Sequence, residues 1–199
     1  MPNSGVAADA AEGVADRWVQ TAETATAAAT APGAGEVPEG GNVASVRLLR
    51  LLEEGGARFG LLEHPPEGQT VRASALRGHS LAAAAKCMIV TVSGGVSGER
   101  HVLAVVPGDR RVDLDGVARE CGGRRARLAD RGLAERLSGC VSGSIIPFSF
   151  HDDLSVLADP GLFDQPTLYF NAARLDLSVA LAAADYRALA NPLVVRIAS

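Results

Sequence analysis

Lysine is nearly missing from this chain: of 19 Lys and Arg residues, 18 are arginine and one is Lys86. Aromatic residues are also sparse, at 4% of 199 residues, whereas hydrophobic residues reach 47%. A core must therefore be built from Val, Leu, Ile and Ala rather than from packed rings. No apolar run approaches the roughly 20 residues of a membrane-spanning helix, so no membrane association is expected. Met1-Pro2-Asn3-Ser4-Gly5 shows neither the basic region nor the apolar run of a secretory signal. Cys87, Cys121 and Cys140 are far apart and form no C-x-x-C pair. That excludes a disulfide framework and points to a reducing, cytoplasmic setting. His64, His79, His101 and His151 lack metal spacing, and no carboxylate or cysteine cluster accompanies them. Neither a metal nor a cofactor is expected. A G-x-S-x-G elbow, a Walker loop and a dinucleotide glycine fingerprint are likewise absent.

What remains is unevenly arranged. Residues 1–46 hold Asp9, Glu12, Asp16, Glu23, Glu36 and Glu39 against Arg17 alone, a balance of −5 in a chain of net charge −4. Residues 47–199 thus carry +1, too little for tight sequence-independent DNA binding. Residues 1–42, rich in Ala, Thr, Gly and Glu, read as a disordered or loosely helical extension, and residues 43–199 as one domain.

Within that domain Ser45 is placed to cap a helix that stops at Gly55-Gly56, and Arg58–Glu63 reads as a strand. Thr70 can cap a short helix ended by Gly78. Lys86–Val92 and His101–Val106 read as a hairpin with a long loop. Asp113 caps a further helix, a strand is expected near Ala126–Leu128, and a helix over Gly132–Leu137. Strands follow at Leu154–Leu157, Thr167–Phe170, Leu177–Ala182 and Leu193–Ile197, with a helix at Ala183–Ala190. Helices and strands without a regular βαβ alternation predict an α+β fold with a mixed sheet.

Several residues are candidates for chemistry. Lys86 opens the apolar run Lys86-Cys87-Met88-Ile89-Val90-Thr91-Val92, either as a snorkelling strand end or as a selected ammonium. Gly143-Ser144-Ile145-Ile146-Pro147 is either a connecting turn or a loop whose backbone approaches a ligand. His64, before Pro65-Pro66, is an ordinary loop histidine or a site residue. Cys87 lies where a buried, inert thiol is more common than a nucleophile. Arginines 124, 125, 127, 131 and 136 form a solvated face or a phosphate contact.

The order of these segments resembles a known family. His64 to Thr70, Ala85-Lys86 and Ala104-Val105-Val106-Pro107-Gly108-Asp109 are followed by the G-x-x-x-P loop and Tyr169-Phe170-Asn171-Ala172. Together they resemble the YbaK-type deacylases, relatives of the editing domain of bacterial prolyl-tRNA synthetase, over about residues 45–199. The resemblance implies a single α+β domain with a central mixed sheet and flanking helices. It implies free-standing hydrolysis of mischarged aminoacyl-tRNA at its 3′ end, typically proline tRNA carrying a small non-cognate amino acid. Prolyl-tRNA synthetase is the implied protein partner. A tRNA- or synthetase-binding module without catalysis is the competing reading. Lys86 then falls on the position most tied to activity, with amides of Gly143, Ser144 and Ile145 as candidate oxyanion donors. His64, Thr70, Ile146, Pro147, Asn171 and Ser178 fall at the substrate. Three positions depart from the common pattern: Ser144 for a second glycine, Leu62 for a tyrosine, and Ser178 for an aspartate.

Overall fold

Asn42 opens the first helix. In the computed structural model, which describes residues 42–96 and 98–199, its side-chain oxygen accepts from the Ala44 N–H at 3.1 Å. Helix α1 (Val43–Glu54) therefore starts ahead of Ser45, the cap expected from the sequence. The Asn42 amide also donates to the Ala173 carbonyl, which pins the cap to the body and carries Ser45 into the buried face. Leu48 and Leu52, one turn apart, are fully buried on that face. The expected extension, save Asn42, lies outside the described residues.

The chain continues through β1 (Phe59–Glu63), α2 (Thr70–Arg77), a 3₁₀ turn at Leu81–Ala83, β2 (Ala85–Gly95) and β3 (Gly98–Pro107). Then come α3 (Leu114–Glu120), β4 (Arg125–Leu128), α4 (Arg131–Ser138), β5 (Leu154–Ala158) and a second 3₁₀ turn at Pro160–Asp164. It closes with β6 (Thr167–Asn171), β7 (Leu177–Ala182), α5 (Ala183–Ala190) and β8 (Leu193–Val194).

Three further expectations change, the first being that Gln69 rather than Thr70 is the N-cap of α2. The β2–β3 connection is short, because the ladder shifts register after Val92 and resumes at Gly95 opposite Gly98. Gly94 and Gly98 take φ of 80° and 77°, which permits the shift. Strand β8 stops at Val194 rather than Ile197. The Asp159 carboxylate accepts the N–H groups of Ile197 and Ala198 at 3.0 and 2.9 Å and draws the tail off the ladder.

Strands β4-β2-β3-β5-β8 form a mixed sheet, antiparallel at β4/β2/β3 and parallel at β3/β5/β8. Strands β1-β7-β6 form an antiparallel sheet, joined to the first by a bridge between Ala84 and Tyr169. The mixed sheet is buried on both faces. Ile89, Leu103 and Val105 pack into the larger core with Phe170, Val179 and Leu181. Val90, Val92, Ala104 and Val106 pack on the other side with Val117 and Ile197. This is the α+β fold the sequence predicts.

One discontinuity matters for function. Strand β4 pairs only with Val90–Ser93, and the bridge to the second sheet takes Ala84. Among the described residues no strand covers the edge of β2 between them, and a cavity opens there.

Candidate active site

The cavity measures about 410 Å³ and lies between α2, the open edge of β2, β6, α4 and the glycine loop after α4. Its floor depends on two glycines. Gly143 has φ of 90°, and a Cβ placed on it would lie 2.8 Å from the Cα of Gly68. The loops 64–70 and 139–147 therefore meet backbone to backbone, an approach that any side chain would prevent.

Asn171, at the end of β6, holds the two loops together. Its amide nitrogen donates to the carbonyls of Glu67 and Gly143, both at 2.9 Å. Its oxygen must then face Ser178, whose hydroxyl donates to it at 3.0 Å. With that hydrogen committed, the Ser178 oxygen accepts from His64 Nε2 at 2.6 Å. His64 Nδ1 lies 2.8 Å from the Pro65 carbonyl, so both ring nitrogens face acceptors. His64, Ser178 and Asn171 thus form one relay behind the cavity, and of the three only Asn171 lines it. Ser178 is fully buried. Its replacement by alanine leaves Asn171 Oδ1 and His64 Nε2 unpaired, with an expected loss of about 1–3 kcal/mol. Equilibrium urea unfolding of Ser178→Ala checks this.

The G-x-x-x-P loop divides its residues between cavity and core. Gly143 and Ile145 line the cavity. Ser144 is fully buried, and both its N–H and its hydroxyl donate to the Val141 carbonyl at 3.0 Å. Its amide is therefore already used by a turn, which corrects the expectation of three consecutive amide donors. Ile146 and Pro147, expected at the substrate, are buried instead; Ile146 belongs to the larger core and anchors the loop from below. Glu135, which sequence reasoning missed, fixes the loop's approach. Its carboxylate accepts from the Ser142 N–H at 2.9 Å and from Arg131 Nε at 2.8 Å. These two donors hold its carboxyl down at about 2, so it stays ionised.

Lys86 lines the same cavity from β2. Its ammonium donates to the Arg110 carbonyl in the turn after β3. Burial lowers its pKa, and nearby Asp109 opposes that shift. Thr70, the first residue of α2, lines the cavity beside that turn: a Cβ on Gly108 would lie 2.9 Å from its methyl group. Cys87 is also at the wall, but burial pushes its thiol far up, which suits an inert thiol rather than a nucleophile. Among the described residues three cations, Arg77, Lys86 and Arg131, line the cavity, and no aspartate, glutamate or histidine does. Sequence spacing had not singled out Arg77, because nothing in its local context shows that it lacks an acidic neighbour. Of the basic cluster, Arg131 reaches the cavity and pairs with Glu135, while Arg127 pairs with Glu99 at 3.6 Å.

Fold and cavity together define a class: an α+β protein whose cavity is lined by three basic side chains and a glycine loop. The chain belongs to the aminoacyl-tRNA editing domain family, whose model matches residues 64–189. It is 42% identical over 157 residues to the multifunctional Ser/Thr-tRNA deacylase ProXp-y of Escherichia coli (strain K12). That match covers 78% of this chain and 93% of the relative. Among solved structures, the hypothetical protein APE2540 superposes with a TM-score of 0.69 at 20% identity, covering 77% of this chain and 99% of that one. A structure provisionally described as a trans-editing enzyme for prolyl tRNA synthetase gives 0.66 at 20% identity, covering 83% and 99%. At such identity these two structures speak to the fold alone.

Proposed function

We propose that this chain is a trans-editing hydrolase that cleaves the ester between a mischarged amino acid and the 3′ end of tRNA. The observation that carries this reading is the cavity itself: among the described residues it is lined by three cations and no acid, together with Gly143 and Ile145 of the glycine loop. Its volume falls in the range that encloses a small ligand. Family membership supplies the substrate class.

An aminoacyl ester is already activated, so the site must place a water on the carbonyl and stabilise the oxyanion that develops. The Gly143 and Ile145 amides are the donors for that oxyanion, and a single donor of this kind contributes ~3 kcal/mol. Lys86 acts as a positioning cation, since its ammonium is held by the Arg110 carbonyl. Among the described residues the wall holds no carboxylate or histidine. In this reading the neighbouring ribose hydroxyl therefore orients the water and relays its proton to the ribose oxygen that leaves as the ester C–O bond breaks, freeing the amino acid and restoring the tRNA hydroxyl. Selection rests on pocket size, and one methylene changes binding by only ~1–3 kcal/mol. A second, hydrolytic discrimination step is useful for that reason.

The substrate is a small amino acid on tRNA. The name of the E. coli relative points to serine and threonine, and the family order in the sequence to proline tRNA. Prolyl-tRNA synthetase is the protein partner in this reading, and co-sedimentation with it is the direct check. Three separated thiols fit action in the reducing cytoplasm. Incubation with Ala-, Ser-, Thr- and Pro-tRNA is expected to release at least one small amino acid well above its spontaneous rate. Release of none, with tRNA still bound, would establish the binding module instead.

A further inference from the structure

Arg77 ends α2, and among the described residues no acid lies opposite it. Among the described residues it makes no ion pair. Its Nε donates to the Ala73 carbonyl one turn back at 2.9 Å, while its Nη1 is buried without a partner. The other two cavity cations are compensated: Arg131 by Glu135, and Lys86 by the Arg110 carbonyl with Asp109 near. Burial brings the Arg77 guanidinium down only to about 10, so it is charged at neutral pH. The adjacent His79 adds no second charge. It stacks on Tyr169 at 3.9 Å and donates from Nδ1 to the Ser80 carbonyl at 2.8 Å. Burial lowers its pKa to about 4, so the ring is neutral. A half-buried guanidinium facing a cavity without a counter-charge is an unfavourable arrangement for the empty protein. An anion from outside would relieve it.

The geometry points to Arg77 as the receptor for a phosphodiester, the phosphate on the 5′ side of the terminal nucleoside whose ester is cut. This deepens the deacylase reading and rests on it. An esterified amino acid has no free carboxylate, so the phosphate is the anionic group the substrate brings near the ester. The planar guanidinium suits phosphate oxygens better than an ammonium does. Arg77 is then a substrate-binding residue that sets how far the 3′ end enters the cavity it shares with Lys86 and the glycine loop.

The test compares the intact chain with Arg77→Gln on two minimal esters, seryl-adenosine with and without a 5′-phosphate. AMP and adenosine are titrated in parallel by NMR, which needs no turnover. In the wild type AMP is expected to bind about 10-fold or more tighter than adenosine, and Arg77→Gln should erase that preference. The same change should raise KM for the phosphorylated ester by about 10–100-fold and cost the unphosphorylated ester much less. The variant should melt no lower than wild type, since it removes an unpaired charge. Equal binding of AMP and adenosine to the wild type overturns the proposal without any variant. So does an equal loss on both esters, or displacement of AMP by free serine through Arg77, which would make the site one for the product carboxylate. If neither ester is cleaved while the AMP preference still depends on Arg77, the phosphate site stands and the deacylase reading falls.

Discussion

Lys86→Ala should lower kcat/KM for deacylation by about 10²–10³-fold while leaving the protein folded. The magnitude follows from what the side chain does: it places one fixed charge at the cavity wall, anchored on the Arg110 carbonyl. Removing that charge removes transition-state stabilisation rather than packing, because Lys86 is only half-buried and belongs to neither of the two large core clusters. Stability should stay within about 0.5 kcal/mol of wild type, as for surface changes away from buried networks. Lys86→Arg is the more telling variant. A guanidinium keeps the charge but is broader and planar and does not reproduce a compact ammonium. It should rescue little, although this chain uses arginine at every other basic position. Full activity in Lys86→Ala would remove the residue from the site while leaving the family and fold in place. Single-turnover deacylation with urea unfolding separates these outcomes.

The fold was legible where local chemistry decides it. Gly78 in the left-handed region ends α2, Asp113 caps α3, and continuous apolar runs set the central strands. It was less legible where a distant partner intervenes. Asn42 rather than Ser45 caps α1 because Ala173, far along the chain, holds it. Strand β8 is cut short by Asp159, which no local pattern at residues 193–197 reveals. The candidate site shows the same division. Residue order brought out Lys86, Gly143 and Asn171, and all three reach the cavity. It could not show that Ile146 is core, or that Ser144's amide is spent on Val141, because those facts depend on how the loop turns. Gly68 and Glu135 stayed unnoticed for a related reason. Each acts on a partner that only the folded chain supplies, Gly143 for one and Ser142 for the other. Ser178, one of the departures from the resemblance, sits within hydrogen-bond reach of both His64 and Asn171.

Gly143→Ala should combine a loss of stability with a larger loss of rate, and the two have separable causes. The backbone there has φ of 90°, which an L side chain adopts only under strain. That alone costs about 1–3 kcal/mol. The added methyl would also meet Gly68 Cα at 2.8 Å and its carbonyl oxygen at 3.1 Å, both backbone atoms that cannot rotate away. The two loops must therefore part, stretching the Asn171 bonds to Glu67 and Gly143 and moving the Gly143 and Ile145 amides. A displacement near 1 Å at a reacting group lowers rate by about 10²-fold. Gly56→Ala is the control for strain: its φ is 61°, but nothing lies within 4 Å of the added Cβ. It should be destabilised through strain alone and deacylate at the wild-type rate. Gly68→Ala approaches the same contact from the other side, with Gly143 Cα at 3.2 Å and the flexible Leu175 side chain at 3.3 Å. A milder loss of rate is expected there. If Gly143→Ala loses stability as Gly56→Ala does but keeps its rate, the loop contact serves folding only. The oxyanion would then have to be held by other groups on the cavity wall.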